Sequence, residues 1–112
     1  MKKNIYTAEQ IEKIQLNMIA LLYYIKKHST SNLPRCFKFC ETIIKNIDIC
    51  RENKYEDINE LSMLVREDWN SAMEVHTGLP EYYMPNNSFE IQKAMNIVIH
   101  EQILVVGKLI EG

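Results

Sequence analysis

"TAEQIEKIQLNMIALLYYI", residues 7–25, predicts the first helix and with it the class of fold. It opens with the spacing of a capping box, in which the Thr7 hydroxyl accepts from the Gln10 amide and the Gln10 side chain reaches back. Apolar residues then recur at steps of three and four, the spacing that places side chains on one helical face. They are Ile11, Ile14, Met18, Leu21 and Ile25. The pattern indicates an amphipathic helix that packs in a helical core.

A second apolar stripe runs along another side of this helix, at Leu16, Ile19 and Tyr23. A helix with two apolar faces either is sandwiched inside the fold or offers one face to a partner. We expect the second stripe to be buried within the monomer. The alternative is self-association through this stripe, as in a structural or regulatory module.

Three further amphipathic segments follow. Helix two is predicted over about 34–52, with Pro34 in its first turn, and helix three over about 55–76. Helix four is predicted to open at "NNSFE", where Asn87 and Glu90 have capping-box spacing, and to run to about Ile110. Three glycines and three prolines leave little room for the turns of an all-β protein. The chain is therefore predicted to be all-α, a compact antiparallel four-helix bundle that forms one domain over residues 1–112.

The predicted core faces follow from the same helical spacing. Helix two turns inward Cys36, Phe37, Cys40, Ile43, Ile44, Ile47 and Cys50. Helix three turns inward Ile58, Leu61, Val65, Trp69, Ala72 and His76. Helix four turns inward Ile91, Met95, Val98, Ile99, Gln102, Val105, Val106 and Leu109.

The composition is that of a globular protein, with 46% apolar and 25% charged residues. The longest apolar run, "MIALLYYI" (18–25), is far shorter than the ~20 residues that cross a bilayer. The N-terminal "MKKNIYTAEQIEK" turns polar after its two lysines and does not predict a signal peptide. Three cysteines without a C-x-x-C pair do not predict a disulfide framework. These features favour a cytoplasmic protein that does not bind a membrane.

No catalytic, metal-binding or cofactor-binding site is predicted. Cys36 and Cys40 are four residues apart and could share a metal, but no further ligands have the spacing of a structural zinc site. None of His28, His76 and His100 follows a Glu by three positions, which excludes a carboxylate-bridged di-iron site. Neither a G-x-S-x-G motif nor a glycine-rich phosphate loop occurs. We therefore assign the cysteines to the core, His76 to packing or capping, and the protein to a non-enzymatic class.

"IHEQ" (99–102) offers phosphotransfer as a further alternative. It places His100 opposite the buried stripe of helix four and next to Glu101. A histidine followed by an acid also occurs in the dimerisation helices of histidine kinases. We expect His100 to be an ordinary exposed side chain, with a signalling bundle centred on it as the less favoured function.

The charge is distributed unevenly along the chain. Residues 55–81 carry seven acids against one base, a net charge of −6, while the remainder carries +4. Four of the acids, Glu56, Glu60, Glu67 and Glu74, have spacings that align them on one flank of helix three. Asp57 and Asp68 lie about a third of a turn away from that row. This surface has the wrong sign for direct contact with nucleic acid and favours a basic protein partner.

"EVHTGLPEYYMPNN" (74–87) follows the acidic segment and has an unusual composition for a connection between helices. It contains two prolines, which stiffen the chain, and the apolar residues Leu79, Tyr82, Tyr83 and Met84. Tyrosine is enriched at binding hot spots because it joins a large apolar area to a polar tip. The two tyrosines either anchor a partner or fold back and plug the end of the bundle, and both interpretations stay open.

A set of residues between about 57 and 90 resembles the immunity proteins of nuclease colicins and pyocins. The residues are "ELSMLV" (60–65), Trp69, His76, Gly78, Glu81, Tyr82, Tyr83 and Pro85, and "IYTAEQ" is similar to the start of the first helix in that family. Met84 separates Tyr83 from the proline, and helix two has no clear counterpart there. The resemblance implies a helical bundle that binds and blocks a basic nuclease through an acidic helix and a Tyr-Tyr pair.

The predicted function is therefore that of an immunity protein or inhibitor that neutralises a basic, nuclease-type toxin. Electrostatic steering is assigned to the acids and the central contacts to the tyrosines. The predicted partner-binding residues are Glu60, Glu67, Asp68, Glu74, Glu81, Tyr82 and Tyr83.

Overall fold

A computed structural model describes residues 5–29, 32–74 and 76–111 of the chain. Four helices, α1 (Ala8–His28), α2 (Arg35–Glu52), α3 (Ile58–Ala72) and α4 (Phe89–Glu111), account for most of them, and the described ranges contain no strand. A 3₁₀ turn, Leu79–Glu81, lies in the connection between α3 and α4. Helix α1 packs between α2 and α4, and α3 packs on α2 and more lightly on α4. The prediction of an all-α four-helix bundle is confirmed.

Helix α1 begins as its sequence predicts. The Gln10 amide donates to the Thr7 hydroxyl at 3.1 Å, and the Thr7 amide donates to the Gln10 side chain at 2.8 Å, so the capping box is formed. The predicted seam of Ile11, Ile14, Met18, Leu21 and Ile25 is fully buried. Gln15 is also buried beside this seam, and its side-chain amide donates to the Ile44 carbonyl of α2 and to Asp48.

The second stripe on α1 lies on the surface. Leu16 is 67% exposed, Tyr23 is 66% exposed, and Ile19 is also exposed. The expectation that this stripe is buried within the monomer is therefore wrong. The other helices cover α1 over the Ile11–Ile25 seam, and each helix of a four-helix bundle keeps an outer side that no other helix covers.

Helix α2 buries the side chains that its spacing selects. Cys36, Phe37, Cys40, Ile43, Ile47 and Cys50 are buried, and Ile44 is half-buried. The three cysteines are free thiols in the core, as predicted. Pro34 precedes the first helical residue, and its carbonyl accepts from the Phe37 amide at 3.0 Å. Residues 30 and 31, in the predicted break before α2, lie outside the described part of the chain.

Helix α3 is shorter than predicted at both ends, running over 58–72 and not over 55–76. At its start, Lys54 and Tyr55 have positive φ angles of 58° and 62°, and the Tyr55 amide donates to the Cys50 carbonyl at 2.8 Å. Left-handed residues end α2 and reverse the chain, so they cannot belong to a right-handed helix. His76, with φ at 80°, lies beyond the other end and is exposed, which corrects its assignment to the α3 core face. The remaining predicted core residues, from Ile58 to Ala72, face inward.

Helix α4 differs from its prediction in its cap and in its buried face. The helix begins one residue after Ser88, whose hydroxyl accepts from the Ile91 amide at 3.4 Å, so the predicted Asn87–Glu90 box does not cap it. Met95, Ile99 and Val106 are buried as predicted, whereas Ile91, Val98 and Val105 are exposed. The core side also includes Asn96, Ile103 and Ile110. The buried face is turned by about a quarter of a turn from the predicted one. Helix α4 contacts α3 and the loop before it as well as α1.

Candidate partner-binding surface

The segment that carries the two tyrosines, residues 79–86 (the tyrosine loop), is held on the bundle by buried apolar side chains. Leu79 is fully buried in the 3₁₀ turn, and Met84 is buried to 2% exposure. Both belong to the same hydrophobic core as the helices. The loop is therefore packed as part of the fold, with Leu79 and Met84 pointing inward and Pro80, Glu81 and Tyr83 facing water.

Gly78 sets the entry to the tyrosine loop. Its amide donates to the Glu74 carbonyl at 2.8 Å, which folds the chain back after α3. A Cβ atom at this position would lie 2.4 Å from the Glu74 carbonyl oxygen and 2.5 Å from that of Ala72. Backbone passes so close here that only glycine fits without a shift of the turn.

Three polar residues of α4 bind the backbone and side chains of the tyrosine loop. Gln92, Asn96 and His100 recur at steps of four and so lie along one line on the helix. They contact residues 82–86 and together form the polar ladder. Sequence reasoning missed it, although three polar residues at i, i+4 and i+8 are a pattern that the sequence of α4 shows.

Asn96, which is buried, makes the most complete set of these bonds. Its Oδ1 accepts from the Met84 amide at 2.8 Å, while its Nδ2 donates to the Met84 carbonyl at 2.9 Å and to the Gln92 carbonyl at 2.8 Å. Gln92 accepts from the Asn86 amide at 3.0 Å and donates to the Tyr83 hydroxyl at 2.6 Å. The ladder thus fixes the loop backbone on both sides of Tyr83.

His100 completes the ladder and is half-buried, contrary to the expectation of an ordinary exposed side chain. Its Nε2 lies 3.0 Å from the Tyr82 carbonyl oxygen, a distance at which a protonated Nε2 donates to that carbonyl. The nitrogen that a phosphotransfer reaction would use is therefore engaged with the loop backbone. The geometry assigns His100 to holding the loop.

The two tyrosines occupy different environments. Tyr82 is half-buried, and its ring meets Phe37 of α2 edge to face, with centroids 4.8 Å apart and planes at 89°. Burial raises the pKa of Tyr82, the Cys36 thiol acts in the same direction, and a hydrogen bond with Ser29 opposes them. Tyr83 is 53% exposed, with its hydroxyl bound to Gln92. Tyr82 thus plugs the end of the bundle, and Tyr83 presents its ring to solvent.

The predicted acidic row is broken where α3 ends. Glu60 and Glu67 are exposed and lie on one flank of the helix, seven residues apart. Glu56 precedes α3 and Glu74 follows it, so neither continues the row as a helical residue. Glu60 lies about 18 Å from the C-terminal end of α3, given the helical rise per residue. The acids form a patch on α3 and a second group beside the tyrosine loop.

Asp68 lies at the side of this patch and is half-buried. Burial raises the pKa of its carboxyl group, and the neighbouring Glu67 carboxylate raises it further. The charge of Asp68 is therefore less favourable in the folded protein than in water.

A groove of about 280 Å³ brings Glu81, Tyr82 and Tyr83 together with Pro34 and His76. An adjoining groove of about 290 Å³ is lined by Glu74 together with Arg35 and Phe39. Four of the seven predicted residues thus surround one end of the bundle. Glu60, Glu67 and Asp68 lie further along α3.

Two exposed apolar residues on α3 were missed as site residues. Met63 and Leu64 lie between Glu60 and Glu67, and the four positions follow the i, i+3, i+4, i+7 spacing of one helical face. Met63 is 53% exposed and Leu64 is 44% exposed. The outer face of α3 therefore combines negative charge with apolar area, as protein-binding surfaces do.

A third groove, of about 440 Å³, lies on the other side of Tyr83 along α4, where Phe89, Ile97 and Leu104 line it. Tyr83 therefore separates this apolar groove from the one that contains Glu81. A partner side chain could enter on either side of the ring.

Among the described residues, no three His, Cys, Asp or Glu side chains come together as metal ligands would. Burial raises the pKa of the Cys40 thiol to about 12, the Cys36 and Glu41 charges add to this, and Cys40 therefore stays protonated at neutral pH. A neutral, buried thiol is neither a good nucleophile nor a good metal ligand.

None of the helices in the described part of the chain is long and apolar enough to span a membrane. Comparison of the chain with protein-family models, with curated proteins and with solved structures finds no match.

Proposed function

We propose that the protein is a non-enzymatic inhibitor that binds a basic protein partner, in the manner of an immunity protein acting on a nuclease-type toxin in the bacterial cytoplasm. The observation that carries the proposal is the presentation of Tyr83. Its ring is half-exposed while the loop around it is fixed by five hydrogen bonds from Gln92, Asn96 and His100.

A fixed tyrosine is a good anchor because little entropy is lost when it docks. Ordering one flexible side chain on binding costs about 0.5–1.5 kcal/mol, and a loop costs more. In this protein the Met84 backbone is already held by Asn96, and the Tyr83 hydroxyl by Gln92. A partner would bind a surface that needs no rearrangement.

The charges around Tyr83 select the kind of partner. Glu81 shares the groove with Tyr83, Glu74 lines the next groove, and Glu60 and Glu67 extend the negative surface along α3. Such a surface attracts a basic protein and repels nucleic acid. A nuclease domain is basic where it binds its substrate, so a bound inhibitor with this surface would compete with nucleic acid for the same groove.

The experiment looks for a basic nuclease domain in the reading frames next to this one and measures whether this chain binds and inhibits it. Tyr83→Ala should weaken binding by about 2–4 kcal/mol, the usual effect of removing a tyrosine hot spot. The matched control is Ile49→Ala, which removes a similarly exposed large side chain (55% exposed) from α2, outside both the tyrosine loop and the α1 stripe. Equal binding by the Tyr83 variant and the wild type, both folded by circular dichroism, would rule out the anchor.

Self-association is the second candidate function, and the exposure of Leu16, Ile19 and Tyr23 favours it. It does not compete with the first, because the stripe lies on α1 and the tyrosine loop lies against α4.

A further inference from the structure

The exposed residues on the outer face of α1 have a symmetric spacing and complementary charges at the two ends. They are Glu12, Leu16, Ile19, Ala20, Tyr23 and Lys27. The steps between them are four, three, one, three and four, so the pattern is symmetric about a point between Ile19 and Ala20. An acid at one end corresponds to a base at the other, and Leu16 corresponds to Tyr23.

These residues form one continuous stripe. At 100° per residue, all six lie within about 50° of a common line along the helix. Leu16 and Tyr23, near the centre of the stripe, are two-thirds exposed. The stripe is opposite the buried seam, and no described element of the bundle covers it.

The contacts of α1 with α2 use a different flank. Lys26 binds Glu41 at 3.1 Å, and Gln15 binds Asp48 at 2.8 Å. Lys27, in contrast, points along the stripe, with its Nζ 6.0 Å from the centroid of the Tyr23 ring. The positive charge is therefore placed at the Tyr23 end, where an approaching acid would meet it.

From this symmetry we propose that two copies of the chain form a dimer in which their α1 helices pack antiparallel about a two-fold axis. In that arrangement Glu12 of each copy faces Lys27 of the other, and Leu16 of each faces Tyr23 of the other. Ile19 and Ala20 lie at the axis, each beside its counterpart. An isologous interface requires this self-complementarity.

The charges decide the direction of the pair. A parallel arrangement would set Glu12 against Glu12 and Lys27 against Lys27, and like charges in contact are unfavourable. Only the antiparallel arrangement satisfies the charges and also pairs the apolar residues. The small Ala20 side chain lets the two helices approach closely at the axis.

The dimer would have two separate partner-binding ends. Tyr82 bonds with Ser29 at the C-terminal end of α1, so the tyrosine loop lies at that end of the helix. Antiparallel packing places the two loops at opposite ends, about 30 Å apart by the length of α1. The dimer itself does not depend on the proposed function, since its interface excludes the tyrosine loop.

Charge reversal tests the arrangement by sedimentation velocity at micromolar concentration. Wild type should sediment as a dimer, whereas Glu12→Lys and Lys27→Glu should each raise the dimer Kd by about tenfold or more, because each puts two like-charged pairs in the interface. An equal mixture of the two variants should form a heterodimer, in which both pairs are again of opposite charge. Lys45→Glu, at an exposed position on α2, is the control and should dimerise as wild type does.

Two results would overturn the proposal. One is a wild-type protein that stays monomeric at every concentration, which would mean that the stripe does not bind a second copy of the chain. The other is a dimer that both single charge reversals leave unchanged, since that dimer would use another face. All the substituted positions are exposed, so circular dichroism should show the same fold for every variant.

Discussion

The side-chain amide of Asn96 pairs with both backbone groups of Met84, accepting from its amide at 2.8 Å and donating to its carbonyl at 2.9 Å. A buried asparagine imitates here the pairing of a neighbouring strand, and it does so next to the exposed ring of Tyr83. Core and binding surface are therefore coupled through one residue.

Asn96→Ala should destabilise the protein by about 2–4 kcal/mol, because it leaves the buried amide and carbonyl of Met84 without partners. Urea unfolding measures this loss. Lys93→Ala, at an exposed position one turn earlier on α4, is the control and should change stability by no more than about 0.5 kcal/mol. Hydrogen exchange of the Met84 amide should become faster in the Asn96 variant, and unchanged protection would show that Asn96 does not hold the loop.

The two glycines with known surroundings should respond to alanine with opposite signs. Gly78→Ala places a Cβ 2.4 Å from the Glu74 carbonyl oxygen, and the forced shift should cost about 1–3 kcal/mol. Gly107→Ala places a Cβ 3.7 Å from Cζ2 of Trp69, an ordinary contact in the interior of α4, and should stabilise the helix by about 0.5–1 kcal/mol. Thermal unfolding compares the two variants, and a tolerated Gly78→Ala would contradict the close backbone approach.

Replacing Glu60 and Glu67 with glutamine should slow association with the basic partner and flatten its dependence on salt, with less effect on dissociation. These acids lie on exposed surface away from the Tyr83 ring, so they act through the long-range field. Stopped-flow measurements over a range of ionic strength test this. A variant with the same loss of charge at Glu9 and Glu52, on α1 and α2, is the control, and an equal slowing in both would mean that only net charge matters.

Asp68→Asn should stabilise the protein at neutral pH. The pKa of Asp68 is raised in the folded state, so the folded protein binds more protons than the unfolded one, and stability falls as pH rises through that window. The advantage of the variant should be greatest at neutral pH and should shrink as pH falls through the raised pKa towards the ordinary value of 3.8. Urea midpoints of the two proteins across this range measure it, and a difference independent of pH would contradict the assignment.

Local sequence patterns were sufficient to predict the class of fold and several details. The Thr7–Gln10 cap, the inward seam of α1 and the buried cysteines of α2 all follow from spacing within one helix. Helical periodicity is a property of neighbouring residues, so it can be read without knowing what packs against the helix. The acidic patch and the unusual composition of the tyrosine loop are visible in the same way.

Other features depended on contacts between distant parts of the chain. Both stripes of α1 have helical spacing, and only the positions of α2 and α4 decide that Leu16 and Tyr23 are left exposed. The difference in burial between Tyr82 and Tyr83 likewise depends on contacts with Phe37 and Gln92, which lie on different helices.

By itself, then, the sequence determined the four helices, their order and most of their inward faces, because these arise from the preferences of short segments. The tertiary structure alone decided which apolar and aromatic side chains stay in water. The exposure of a side chain depends on which element packs over it. The hydrogen bond between Asn96 and Met84, twelve positions apart, is an example, because it fixes the loop that carries the exposed Tyr83 ring.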